Sequence, residues 1–164
     1  MNFNNTVVIM RGVSGSGKDT WINKNVSVPA MRVCSADKYF IVDGEYCFDP
    51  TKLPKAHASC RTEFLKMLEQ HNSSPIIVNN TNTKCWEWEN YARSALMSGY
   101  NVLVVELVCT TINQVRVCHR RNEHRVPAYV VCKAAMDFEP ANKCCPENLL
   151  SRIRVQTIEI SQNR

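Results

Sequence analysis

Short apolar runs alternate along this chain with stretches whose apolar positions recur at helical spacing. Thr6–Arg11 (TVVIMR) is largely apolar and is stopped by a glycine, which predicts a buried strand. Residues 31–34, 75–79 (PIIVN) and 101–106 (NVLVVE) predict three more. Between them, Ala56, Cys60, Phe64, Met67 and Leu68 fall on one face, predicting an amphipathic helix over 54–70. Helices are also expected from Lys18 onward, over about 87–98, and over 112–121 and 128–137 on either side of a short basic loop. Residues 154–160 (RVQTIEI) alternate and fit either a last strand or a C-terminal helix. Strands separated by helices predict an α/β fold, a parallel sheet covered by helices on both faces. Ligands in such sheets sit at the carboxyl ends of the strands.

The first strand runs into Gly12, Val13, Ser14, Gly15, Ser16, Gly17 and Lys18, a G-x-x-x-x-G-K loop leading into a helix. Its glycines let successive backbone N–H groups turn inward around phosphate oxygens, and the helix start adds the positive end of its dipole. Lys18 is placed to reach the β- and γ-phosphates. The following residue, usually a Ser or Thr on Mg²⁺, is Asp19, with the hydroxyl one place later at Thr20. A carboxylate can ligate Mg²⁺ directly or through water, so Asp19 and Thr20 are the expected metal residues. Asn79 and Asn80 stand where many phosphate-loop proteins carry an acid, and Asp19 is a candidate to supply that missing carboxylate.

Asp37 follows the second strand beside the small residues Ser35 and Ala36. It reads either as the base for an acceptor hydroxyl or as an N-cap aspartate. Arg116, Arg120, Arg121 and Arg125, with His119 and His124, surround a proline-terminated loop (RRNEHRVP). Such a run is either a solvated helix face or an arginine-bearing lid over about 112–137, whose planar guanidinium forks suit phosphate oxygens.

Composition narrows the class. At 164 residues the chain suits one domain, 45% of its residues are hydrophobic and 21% charged, and no apolar run approaches a membrane span. The opening MNFNNTVVIM does not read as a signal peptide, so an intracellular protein without a membrane role is expected. A net charge of +5 is compatible with a polyanionic partner without requiring one. Nine cysteines without a CxxC read as reduced thiols; a zinc site from Cys132, Cys144, Cys145 and His124 is the sharper alternative.

Taken together, GVSGSGKDTW, SAD about twenty residues on, IIVNNTN and RRNEHRVP resemble the polynucleotide 5′-hydroxyl kinase family over roughly residues 6–135. The stretch from SADKYF through YCFDP to NNTNTKCWEWENYA is most similar to the kinase modules linked to Smr-type nucleases. The resemblance implies one P-loop kinase domain over 1–164, using ATP and Mg²⁺ to phosphorylate the 5′ hydroxyl of DNA or RNA. It implies ATP binding by Gly12, Ser14, Gly15, Ser16, Gly17, Lys18, Asp19 and Thr20, with Arg121 and Arg125 on the donor phosphates. Lys18, Asp37, Arg121 and Arg125 would be catalytic, and Lys38, Asn80 and Asn82 would hold the acceptor. Phe40 occupies the position where phage members of the family carry an acceptor-binding arginine. The nucleic-acid 5′ end would be the substrate, with any ligase or phosphatase supplied separately. Two other readings stay open: a small-molecule kinase acting on a nucleoside, nucleotide or metabolite, and a nucleotide-binding module that has lost catalysis.

Overall fold

The computed structural model describes residues 3–29, 32–70 and 72–161. Its centre is β1 (Thr6–Arg11), buried along its whole length because it lies in the middle of a five-stranded sheet. The order is β2 (Val33–Cys34), β5 (Ile76–Asn79), β1, β6 (Asn101–Val108), β7 (Arg154–Glu159), and every neighbouring pair is parallel. Residues 154–160, open between strand and helix in the sequence, thus contribute an edge strand. β2 is shorter than the expected run over 31–34, and Met31 lies outside the described residues.

Alternation along β1 divides the core. Val7 and Ile9 face one side, against α2 (Leu53–Glu69) and α3 (Cys85–Met97). Val8 and Met10 face the other, with Trp21 and Ile22 of α1 (Lys18–Asn25), Cys118 of α4 (Ile112–Arg120) and Val131 of α5 (Ala128–Met136). Both faces of the central strands β1, β5 and β6 are therefore dry, which is why those strands read as continuous apolar runs. In α2, the five expected apolar positions Ala56, Cys60, Phe64, Met67 and Leu68 are the buried ones. Two short helical turns, α6 (Ala141–Cys144) and α7 (Glu147–Leu150), close onto the α2–α3 side through Ala141 and Leu149. Among the described residues no helix is long and apolar enough to cross a membrane. None of the nine cysteines is in a disulfide.

A small antiparallel hairpin, β3 (Ile41–Val42) and β4 (Glu45–Tyr46), stands outside this sheet. Its turn is Asp43–Gly44, both at positive φ (51° and 86°), as a two-residue hairpin of this hand requires. It follows a 3₁₀ turn over Ala36–Phe40.

At the end of β1, Arg11 is buried and its guanidinium pairs with Glu106 of β6. It also donates to the carbonyls of Asn82, Thr83 and Glu139 at 2.7, 3.2 and 2.7 Å, between the faces of Trp88 and Phe138. Glu106 accepts in turn from the Ala141 N–H and the Thr157 hydroxyl. This polar knot ties β1, β6, β7 and the C-terminal turns together beneath the site.

Candidate functional site

The carboxyl ends of the strands open into a cleft of about 1060 Å³, lined by residues 14–21, by Asp37 and Lys38, and by Asn79, Asn80, Arg121 and His124. The loop from β1 to α1 forms one wall. Gly17 caps α1 in the left-handed region (φ 95°), and Gly15 is also left-handed (φ 73°). A Cβ on Gly15 would stand 2.0 Å from the Cys118 carbonyl oxygen, so the glycine lets the loop rest directly on α4. The Lys18 amine lies in the loop's hollow and donates to the carbonyls of Gly12 and Val13, both at 3.0 Å. Burial lowers its pKa from 10.5 to about 8, against the pull of Asp19 and Asp37. The Ser16 hydroxyl is buried without a hydrogen-bond partner, an unsatisfied donor inside the glycine-rich loop.

Opposite the loop, Ser35 caps the 3₁₀ turn by accepting the Asp37 N–H at 3.2 Å. Asp37 is therefore a first-turn residue whose carboxylate is free to face the cleft, with its side chain 51% exposed. Tyr46 donates to Asp37 Oδ1 at 3.1 Å. Asn80 anchors this turn from below: its Oδ1 accepts the Ala36 N–H at 2.8 Å, and its amide nitrogen reaches Cys60 Sγ.

The segment between α4 and α5 covers the third side. Arg121 and His124 line the cleft there. Ser14 of the loop donates to Asn122 Oδ1 at 2.9 Å, and Asn122 also holds the His124 N–H and the Val126 carbonyl. The phosphate loop and the basic segment are thus joined directly through a polar residue that the charge pattern alone did not single out.

Several expected residues occupy other positions. Arg125, in the left-handed region at φ 53°, is not among the residues lining the cleft. Asn82 is buried and braces β1, with its amide nitrogen on the Met10 carbonyl at 2.8 Å and its own carbonyl on Arg11, and it is not among the residues lining the cleft. Lys38 borders the cleft, but its amine is engaged by the Val33 carbonyl and by Glu63. Phe40 is buried. The zinc alternative finds no support: among the described residues, no group of three or more His, Cys, Asp or Glu is arranged to hold a metal.

The donor set fits Mg²⁺ as phosphate-loop proteins hold it, through one or two protein oxygens completed by phosphates and water. Asp19 and Thr20 are exposed at the loop's end, and the buried Asn79 Oδ1 beside them has no hydrogen-bond partner. Oxygen atoms are the ligands that a hard cation takes.

A family model for an AAA domain matches residues 7–141, and the chain belongs to that family. Its fold is of the P-loop kinase type. A gluconokinase from Sinorhizobium meliloti 1021 superposes with a TM-score of 0.58 over 99% of this chain and 86% of its own, at 18% identity. A sugar kinase from Janibacter sp. HTCC2649 superposes with a TM-score of 0.51 over 94% of this chain and 84% of its own, at 19% identity. In sequence, the chain is 32% identical over 122 residues to human NEDD4-binding protein 2. That match covers 73% of this chain and only 7% of the relative's length.

Proposed function

We propose that this chain is an ATP-dependent phosphotransferase that moves the γ-phosphoryl group onto a hydroxyl presented to Asp37. The observation that carries this reading is the single cleft shared by the phosphate loop with Lys18 and by the half-exposed Asp37 carboxylate. Lys18 would exchange its two loop carbonyls for phosphate oxygens and offset charge that develops during transfer. Asp37 would accept the proton of the attacking hydroxyl, and Arg121 would bring positive charge from the lid side. Asp19 and Thr20 would hold Mg²⁺, which supplies charge neutralisation at the β- and γ-phosphates.

Two acceptors are in play. The gluconokinase and sugar kinase neighbours favour a small-molecule hydroxyl, and the weak acceptor set for a nucleic-acid backbone agrees: Asn82 is in the core and Lys38 is engaged. The 5′ hydroxyl of DNA or RNA is the second reading. It is favoured by the motif set of the sequence and by the exposed aromatic faces of Tyr39 and Phe48 beside the Asp37 turn, which suit stacked bases.

The test is transfer of label from γ-labelled ATP to D-gluconate, to a nucleoside panel and to a 5′-hydroxyl oligonucleotide, with a 5′-phosphorylated strand and Asp37→Ala as controls. Label on one acceptor class, lost in the variant, establishes the reaction and its acceptor. ATP bound without transfer to any of them moves the reading to a nucleotide-binding module.

A further inference from the structure

The hairpin β3–β4 adds little to either core: Ile41 and Val42 are each more than half exposed. What it does present is Tyr46, opposite Ile41 in the hairpin register. The Tyr46 hydroxyl donates to Asp37 Oδ1 at 3.1 Å, and its ring is packed by Phe40, His124 and Phe48, the last stacked with centroids 6.4 Å apart. Buried Phe40 meets it edge-on at 6.2 Å, and His124 of the segment between α4 and α5 stacks on it at 4.3 Å with the planes 30° apart. His124 Nε2 stands 3.9 Å from Asp37 Oδ2, the other oxygen of the same carboxylate.

Resting on the phosphotransferase reading, we propose that Tyr46 is a positioning residue that fixes the Asp37 carboxylate for proton acceptance, and that His124 couples this alignment to the lid. A half-exposed aspartate has three staggered side-chain positions available, and only some of them aim an oxygen at an acceptor. Tyr46 holds Oδ1 and leaves Oδ2, 3.9 Å from His124 Nε2, as the oxygen that takes the acceptor proton. In the transfer step the acceptor oxygen bonds to the γ-phosphorus and its proton passes to Asp37 Oδ2. The bond from phosphorus to the β–γ bridging oxygen breaks, and its electron pair leaves on ADP. Burial and the neighbouring Asp37 charge push the Tyr46 phenol upward, so that the hydroxyl remains a donor throughout the neutral range. The stack on His124 means that the lid segment and the base share one side chain; withdrawing the lid frees the ring that orients the carboxylate.

The test compares wild type, Y46F, Y46L, H124A and H124F. In the transfer assay, Y46F is expected to lower kcat by about 10- to 100-fold with the KM for ATP unchanged, because misalignment at the reacting centre leaves nucleotide binding intact. H124F, which keeps a stacking ring, retains more of the rate than H124A. A second readout needs no turnover: ring-current shifts of the His124 protons by NMR are expected to be preserved in Y46F and lost in Y46L. If wild type transfers and Y46F keeps full kcat, the positioning role is overturned while the phosphotransferase reading stands. His124 resonances unmoved in Y46L overturn the coupling to the lid. A wild type that transfers to no acceptor overturns the phosphotransferase reading, and the positioning role with it.

Discussion

Asn79 and Asp19, sixty positions apart, meet at the mouth of the cleft: the Asn79 amide nitrogen donates to Asp19 Oδ1 at 2.7 Å. These are two of the departures from the usual phosphate-loop pattern, and the contact makes them one arrangement. In the proposed Mg²⁺ site, Asp19 at the start of α1 would supply the carboxylate that ordinarily ends a core strand, and the strand-end Asn79 would orient it. Asp19→Ala is therefore expected to raise the Mg²⁺ concentration needed for half-maximal activity by about 10-fold or more. The KM for acceptor should change little. An Mg²⁺ titration identical to that of wild type would remove Asp19 from the metal site.

Lys18 gives a pH dependence with a defined sign. Its pKa is lowered to about 8 by burial, and phosphate oxygens replacing the Gly12 and Val13 carbonyls would favour the charged form again. ATP binding is then full strength below pH 8 and weakens as pH rises above it, with proton uptake on binding in that range. The same shift acts on stability: between pH 8 and the unfolded value of 10.5 the unfolded chain holds the extra proton, so the nucleotide-free fold gains stability as pH rises. Titration calorimetry in buffers of different ionisation enthalpy checks the uptake. Lys18→Met should abolish it and should raise the melting temperature of the nucleotide-free protein at pH 7.

The parts of the fold legible in the sequence are those written in local patterns. β1, β5 and β6 are buried on both faces and so are continuous apolar runs, and the single apolar stripe of α2 gave its core residues one by one. The phosphate loop and Asp37 carry their own spacing. What could not be read was set by contacts distant in sequence. Asn82 looks like a free polar residue until Met10 and Arg11 are placed beside it, and the φ of 53° at Arg125 is a backbone feature that charge spacing does not reveal. The Asn122 bridge to Ser14 spans 108 positions. The hairpin did leave a signal, Asp43–Gly44 between Ile41–Val42 and Glu45–Tyr46, but its strands are two residues each and fall below any periodicity test.

Gly15 and Gly17, two of the positive-φ glycines of the phosphate loop, separate conformation from contact. A Cβ on Gly17 meets nothing within 4 Å, so Gly17→Ala carries only the cost of a left-handed side chain, about 1–2 kcal/mol. Gly15→Ala carries a similar cost and also drives its Cβ into the Cys118 carbonyl, which belongs to helix backbone and cannot rotate aside. It is expected to lose more stability than Gly17→Ala and to push the loop off α4, weakening ATP binding as well. Thermal melts and nucleotide titrations of the pair check this. Equal losses would mean that the loop does not rest on α4 in solution.

Arg11 and Glu106 form the one buried ion pair beneath the site among the described residues, and its removal should be felt throughout. Arg11 keeps its carbonyl acceptors from Asn82, Thr83 and Glu139 if Glu106 becomes neutral, but its charge is then uncompensated in a dry environment that already lowers its pKa. Leaving one member of a buried pair alone typically costs about 3–5 kcal/mol, so Glu106→Gln is expected to destabilise by that amount in denaturant unfolding. Glu63→Gln breaks the Lys38–Glu63 pair, whose side chains are 40% and 37% exposed, and should cost no more than about 1 kcal/mol. Because Glu106 also holds Ala141 and Thr157, its loss loosens β7 and the C-terminal turns first. Hydrogen exchange should therefore quicken along Arg154–Glu159 before it does along Thr6–Arg11. Uniform quickening in Glu106→Gln would assign the pair to global stability alone, without a local role in docking the edge strand.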